Sequence, residues 1–307
     1  MSVAQFGGAV AVEAGGPGGE VEQERRSGRT GYLLLLPGLL WLVIFFVVPT
    51  IQLVATGLYD PNGSLDTGYA MTWSWGNYWD VLVQYQEQFL RSFGYALIAT
   101  VACVLLGYPL AYAIAFKSGR WKNLMLVLVI APFFTSFLVR TLAWKSILAD
   151  NGFVVELLKT LQVLPEDGRL LATPVAVVTG LTYNFLPFMV LPLYATLEKM
   201  DYSLIEAAQD LGCTPTQAFW KITAPLSLPG VVAGCMLVFI PAIGEFVIPD
   251  LLGGSRTLMI GKTLWNEFFA NRDWPVSSAV AVILLLILVV PIVIFQYAQA
   301  RAQEQGR

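Results

Sequence analysis

Two carboxylates, Glu245 and Asp250, lie in or at the edge of a long apolar run, in the stretch Gly-Glu-Phe-Val-Ile-Pro-Asp. An ionisable side chain in hydrocarbon is costly, so by default it marks a path, a binding site or a buried pair. Ionised carboxylates in that setting would attract cations. Three further side chains share the setting. Tyr183 and Asn184 fall in mid-run just before Pro187, and Trp144 lies near the end of another apolar run. Aromatic faces hold amines by cation–π contact, and a polar Asn in mid-span faces protein or water. Each has a plainer alternative. Glu245 could pair with Arg140 or Lys145, or Gly244-Glu245 could hold a subunit interface or serve gating. Asn184 could hydrogen-bond a packed helix. Trp144 and Trp265 fit the aromatic belt at a membrane boundary.

Catalytic chemistry is poorly supplied. The chain has no His, and its three Cys lack metal-site spacing, so zinc and triad arrangements miss a member. Cys103 and Cys235 lie in apolar runs and fit buried small hydrophobes. Gly261-Lys262-Thr263 ends like a phosphate-binding loop, but that motif needs Gly five residues earlier, where Arg256 stands. The chain is therefore expected to hold no cofactor and no metal. A net charge of −3 offers no nucleic-acid footprint.

The elements that position these residues follow from composition. Of 307 residues, 56% are hydrophobic and 13% charged, about half the charged share of soluble domains. This is an all-α, polytopic membrane protein. A spanning helix needs about 20 apolar residues, and six windows qualify, near 31–54, 93–116, 123–143, 173–197, 229–251 and 276–298. Residues 1–30, rich in Gly, Glu and Arg, read as a disordered tail, residues 31–300 as a six-helix domain and 301–307 as a second tail. Internal Pro37, Pro109, Pro187, Pro241 and Pro291 are expected to kink helices rather than break them. An even number of spans puts both termini on one side. The 117–122 loop is basic without acids, whereas the 55–92 loop sets Arg91 against Asp60, Asp66, Asp80 and Glu87. The positive-inside rule then places both termini, and the connector 198–228, in the cytoplasm.

That connector is more than a link. Ser203 to Glu206 fits a capping box, with a helix from about 204 ending at Gly212. Thr214-Pro215-Thr216-Gln217 fits a second box with Pro215 at the first helical position. Leu211, Ala218, Phe219 and Ile222 look buried. Ala207 and Ala208 suit close approach, and Glu206 could pair with a partner's Arg. The plain alternative is an interfacial hairpin that only joins two spans.

Glu206-Ala207-Ala208, then Gly212, then Ile222, Pro225 and Pro229, resemble the EAA loop of permease subunits of bacterial ATP-binding-cassette importers. Residues Gly244 to Gly254, Trp265 to Phe269, Asn271 to Pro275 and Phe137 to Thr141 are similar to the spermidine/putrescine (polyamine) branch of those permeases. The resemblance covers about residues 31–300. It implies a type I importer permease fold in the bacterial plasma (inner) membrane. It implies an ATPase-docking element formed by Glu206, Ala207, Ala208, Gly212, Thr214, Pro215, Phe219, Ile222 and Pro225. The implied partners are two ATPase subunits that bind ATP and Mg, a second and homologous permease subunit, an external substrate-binding protein and the bilayer. A polyamine carries spaced positive charges that would suit Glu245 and Asp250. Glu245 is expected about 16 residues into span five, some 24 Å from its inner end, in the outer part of the bilayer. Another small cationic or amino-acid-like cargo stays open. A gradient-driven transporter should show an internal repeat, and none is evident. An intramembrane enzyme would need partners for its carboxylates that the chain lacks.

Overall fold

The computed structural model describes residues 34–64 and 68–305. The expected tail 1–30, Asp66 and the last two residues of the 301–307 segment lie outside them. The chain divides into two units between Gln52 and Leu53. Among the described residues there is no sheet, only the isolated bridges Tyr59↔Met71 and Ser64↔Gly68.

Helix α1, Leu34–Thr56, is an apolar span with a π-helical segment at Val43–Val47. The core of the larger unit is three helices: α3 (Gln86–Lys117), α7 (Pro174–Glu198) and α9 (Pro215–Ile243). All three pack on one another. Small residues allow this, because lipid is as apolar as any helix and association rests on close packing. Gly230 and Gly234 sit one turn apart on α9; a Cβ would lie 2.5 Å from Thr196 Oγ1 at Gly230 and 2.6 Å from Met189 Sδ at Gly234. Polar links reinforce the seam, with Tyr108 and Ser227 hydroxyls 2.8 Å apart. Cys103 is fully buried there, as expected, and Cys235 is half-buried.

Among the described residues, five shorter α-helices and one long one complete the set beyond α1, the trio and the bent pair described below. They are α2 (Gly76–Gln84), α6 (Phe153–Thr160), α8 (Ser203–Asp210), α10 (Val247–Leu252), α11 (Ile260–Trp265) and the long α12 (Trp274–Gln305). The 276–298 window lies within α12, which continues through residues 301–305.

Two expected spans are not single helices. Window 123–143 is a pair, α4 (Gly119–Phe134) and α5 (Phe137–Ile147), bent by 94°. Thr135 and Ser136 take extended ψ values of 149° and 134°, which ends the helical ladder just after Pro132. Window 229–251 is also broken. Helix α9 begins earlier, at Pro215, and stops at Ile243; α10 starts only at Val247. By length and composition four helices can cross a membrane, or five if the bent pair counts as one. The count of six is not reached on that criterion among the described residues.

Candidate functional site

The connector folds as the short helix α8, a turn at Gly212 and the first turns of α9, with two corrections. The helix that starts at Pro215 was expected to stop before Pro225 but runs on to Ile243, and the first capping box does not form. Thr214 Oγ1 accepts from Gln217 N at 3.3 Å and Gln217 Oε1 accepts from Thr214 N at 3.0 Å, a complete capping box with Pro215 at the start. Gly212 takes φ +87°, a left-handed value that suits glycine at a helix end. The expected box at Ser203 is absent. The N–H of Ser203 donates to Asp201 Oδ1 at 3.0 Å, so Asp201 supplies the side-chain acceptor. That bond holds the Asp201 carboxyl below its usual range.

The hairpin has its own small core. Ile205, Ala208 and Ala218 are buried together, with Met200, Cys213 and Ile222 packed against them. Ala208 thus closes the hairpin itself. Phe219 also points inward, edge-on to Tyr108 at 5.5 Å and Tyr112 at 5.8 Å. The outer surface carries Glu206, Ala207, Thr214, Pro215 and Pro225, all exposed. Leu211, expected to be buried, is 87% exposed, and Trp220 is 68% exposed. Among the described residues nothing covers these apolar side chains.

At the opposite end of α9, Glu245 sits in the break after Gly244. Its Oε1 accepts from Val247 N at 2.8 Å and Ile248 N at 3.3 Å, capping α10. It therefore meets neither Arg140 nor Lys145. Arg140 instead lies over the rings of Phe137 and Phe133, at 5.8 and 5.9 Å. Asp250 pairs with Lys262, Nζ to Oδ1 2.8 Å. Helix α11 can approach the break because residue 261 is glycine: a Cβ there would stand 2.3 Å from Gly244 O and 2.7 Å from Glu245 O. The Gly-Lys-Thr that ends like a phosphate loop serves packing and pairing here.

Comparison with known proteins adds the decisive observation. Residues 104–304 match the family described as the inner membrane component of binding-protein-dependent transport systems. The chain is 41% identical over 244 residues to the spermidine/putrescine transport system permease protein PotB of Escherichia coli strain K12, covering 79% of this chain and 88% of that one. It is 38% identical over 243 residues to the protein of the same name from Haemophilus influenzae, covering 79% and 84%. The chain belongs to this family of transport permeases. Its fold is also that of a bacterial ABC transporter involved in import of the acidic polysaccharide alginate, with a TM-score of 0.60 at 18% identity, covering 92% of this chain and 98% of that chain. The chain is a multi-pass membrane component of a transport system and not an enzyme.

In this permease the remaining candidates are held by helix packing. Asn184 is 2% exposed; its Nδ2 donates to Gly180 O at 2.9 Å within α7, and its Oδ1 has no partner. Trp144 of α5 meets Tyr183 of α7 edge-on at 5.3 Å. Tyr183 lines an apolar cavity of about 270 Å³ with Leu110, Met125, Leu128 and Pro132.

Beside the break, Phe246, Trp265, Glu267, Phe269 and Asn271, which lie in segments similar to the polyamine branch, assemble with Tyr85 in a way the sequence did not show. Phe246 stacks on Trp265 at 4.5 Å with planes 8° apart, and Phe269 covers Trp265 at 4.1 Å. Glu267 accepts from the Tyr85 hydroxyl at 2.9 Å and from Asn271 Nδ2 at 2.9 Å. Burial, then the Glu267 bond, pushes the Tyr85 hydroxyl well above its usual pKa. The local signals were that resemblance and the Glu267–Asn271 spacing of four, one helical turn; neither pointed to Tyr85.

Proposed function

We propose that this permease is the membrane subunit of an ATP-driven importer of polyamines, putrescine or spermidine. The observation that carries the cargo is its 41% identity, over most of both chains, to a permease named for those solutes. The chain forms half of a translocation path. A second, homologous permease supplies the other half, and an external binding protein delivers cargo to the outer face. Both termini and the connector lie in the cytoplasm, as the basic 117–122 loop favours.

Two ATPase subunits bind ATP and Mg and drive the cycle. One docks on the connector, whose exposed surface offers a carboxylate, Glu206, beside apolar Leu211 and Trp220. Ala207, Thr214, Pro215 and Pro225 share that surface. Gly212 turns the chain between the two helices, and Ala208, Phe219 and Ile222 shape the surface from within. Docking must favour one permease state over the other, or ATP binding shifts nothing. Glu245, Asp250, Tyr183, Asn184 and Trp144 remain candidates for the path. Glu245 is the strongest, because Asp250 is already paired with Lys262.

The test is a pull-down of the tagged chain, solubilised in mild detergent after co-expression with its genomic neighbours. Co-purification of an ATPase, lost with Glu206→Lys, supports docking through the connector. Uptake of labelled putrescine or spermidine by the complex tests the cargo. A wild-type chain that emerges alone, or a complex that imports neither amine, overturns the corresponding half. Another cargo is the second reading, since a 31% identical relative from Mycobacterium bovis is a molybdenum transport permease by name.

A further inference from the structure

The connector is joined to the core by a continuous row of rings. Tyr202, at the connector's start, meets Phe116 at 5.7 Å. Phe116 meets Tyr112 at 5.0 Å, Tyr112 meets Phe219 at 5.8 Å, and Phe219 meets Tyr108 at 5.5 Å. Tyr108 in turn reaches Ser227 across the α3–α9 seam at 2.8 Å. All four ring pairs lie within the range of favourable aromatic contact. The row alternates between α3 and the connector with its continuation into α9.

A second observation falls at the same place. Helices α3 and α9 each carry a π-helical segment there, Ala113–Lys117 and Phe219–Thr223. Phe116 and Phe219 are in those segments, and Tyr112 immediately precedes the first. π-segments are frequent at functional sites, because the extra residue shifts helix register locally. Two others occur among the described residues, at Val43–Val47 and Asn266–Ala270, but these two are the pair that meet through the ring row. Two such segments meeting through a ring ladder form a joint with one rigid side, the α3–α7–α9 core, and one exposed side, the connector hairpin.

We propose that Tyr112 and Phe116 are positioning residues for energy coupling. Motion of the connector is passed through their rings to α3, and the two π-segments take up the register change. This rests on the ATP-driven reading above. Their ring contacts run to the connector and within α3, so their proposed role is to make connector position and core conformation one variable instead of two. Coupling of this kind is a difference in free energy between joint states.

The experiment uses the full complex with its ATPase and binding protein in liposomes. ATP hydrolysed per amine imported is compared for wild type, Tyr112→Ala, Phe116→Ala and the ring-keeping Tyr112→Phe and Phe116→Tyr. The expected result is a rise in that ratio of about fivefold or more in each Ala variant, with ATPase co-purification unchanged and the ratio restored in the ring-keeping variants. Phe116→Leu, which keeps bulk without a ring, is read beside them so that loss of the complex in an Ala variant leaves the test intact. An unchanged ratio in Phe116→Leu and in whichever Ala variants assemble overturns the ladder, as does an equal fall of hydrolysis and uptake. A wild-type complex without ATP-driven uptake overturns the importer reading instead, and is scored before any variant.

Discussion

Lys262 Nζ stands 2.8 Å from Asp250 Oδ1, with the lysine side chain 16% exposed and the aspartate 48%. The pair ties α10 to α11 beside the break that ends α9. It also separates the two carboxylates read from the sequence. Asp250 is neutralised within the chain. Glu245 spends Oε1 on two backbone N–H groups, and Oε2 takes no part in those bonds.

Asp250→Asn should leave a largely buried ammonium without its counter-charge. The expected loss is about 1–2 kcal/mol, below the cost of breaking a fully buried pair because Asp250 is half exposed. Lys262→Met added to Asp250→Asn should recover most of it. Thermal unfolding of the four members of that cycle in one detergent decides the matter. Additive single effects would mean the pair contributes nothing.

Glu245 has a capping role and a proposed path role, and two substitutions separate them. Glu245→Gln keeps an oxygen acceptor for Val247 N, whereas Glu245→Ala removes it. Loss of a cap costs about 1 kcal/mol, so Ala should lower stability by that amount and Gln by a fraction of it. Polyamine uptake should weaken in both, at normal assembly. If Gln imports at the wild-type rate while Ala does not, the cap is the whole role of Glu245.

What was legible in the sequence depended on range. The Thr214 box and the Gly212 helix end are settled within four residues, and both were read correctly. Ser203 was misread because Asp201, two residues earlier, competes for the same N–H. Hydropathy located apolar segments but could not see their direction. A run such as 123–143 reads the same straight or bent by 94°. The pairing of Asp250 with Lys262 and of Tyr85 with Glu267 needed tertiary structure. Leu211 misled for a different reason: apolarity signals burial, but the covering surface need not belong to the same chain.

Glu206 and Leu211 should behave as surface residues in the isolated chain and as contacts in the complex. Glu206→Lys and Leu211→Ser are each expected to change the stability of the chain alone by less than about 0.5 kcal/mol. Both should reduce stimulated ATPase activity, and Glu206→Lys should abolish it. Stimulation at the wild-type level in both variants would place the docking surface elsewhere.

Asp201 gives the connector a pH dependence. Its carboxyl is held below the usual value, near 3.9, first by the Ser203 backbone N–H and then by the Ser203 hydroxyl. A depressed folded-state value means the contribution is present above the unfolded pKa and fades as pH falls through the folded one. The first turn of α8 should therefore loosen only below about pH 4. Amide exchange at Ser203, followed against pH in wild type and Asp201→Asn, checks this. Equal protection in the two proteins at pH 6 would show that Asp201 does not hold the turn.

Two glycines a short distance apart in space should respond oppositely to alanine. At Gly261 a Cβ would fall 2.3 Å from Gly244 O and 2.7 Å from Glu245 O. Both obstacles are backbone, so α11 or the break must move. Overpacking of this kind costs about 1–3 kcal/mol and can exceed that, and the shift would pull Lys262 from Asp250. At Gly244 a Cβ would meet nothing within 4 Å, and φ is −83°, which any residue tolerates. Alanine there restricts the unfolded chain and should be neutral or stabilising by up to about 1 kcal/mol. Gly244→Ala that imports normally would show that the break needs no glycine freedom to work. If Gly244→Ala is stable yet slow in uptake, the break bends during transport into a conformation that only glycine reaches. Gly261→Ala with wild-type stability would mean that α11 does not press on the break as the structure shows.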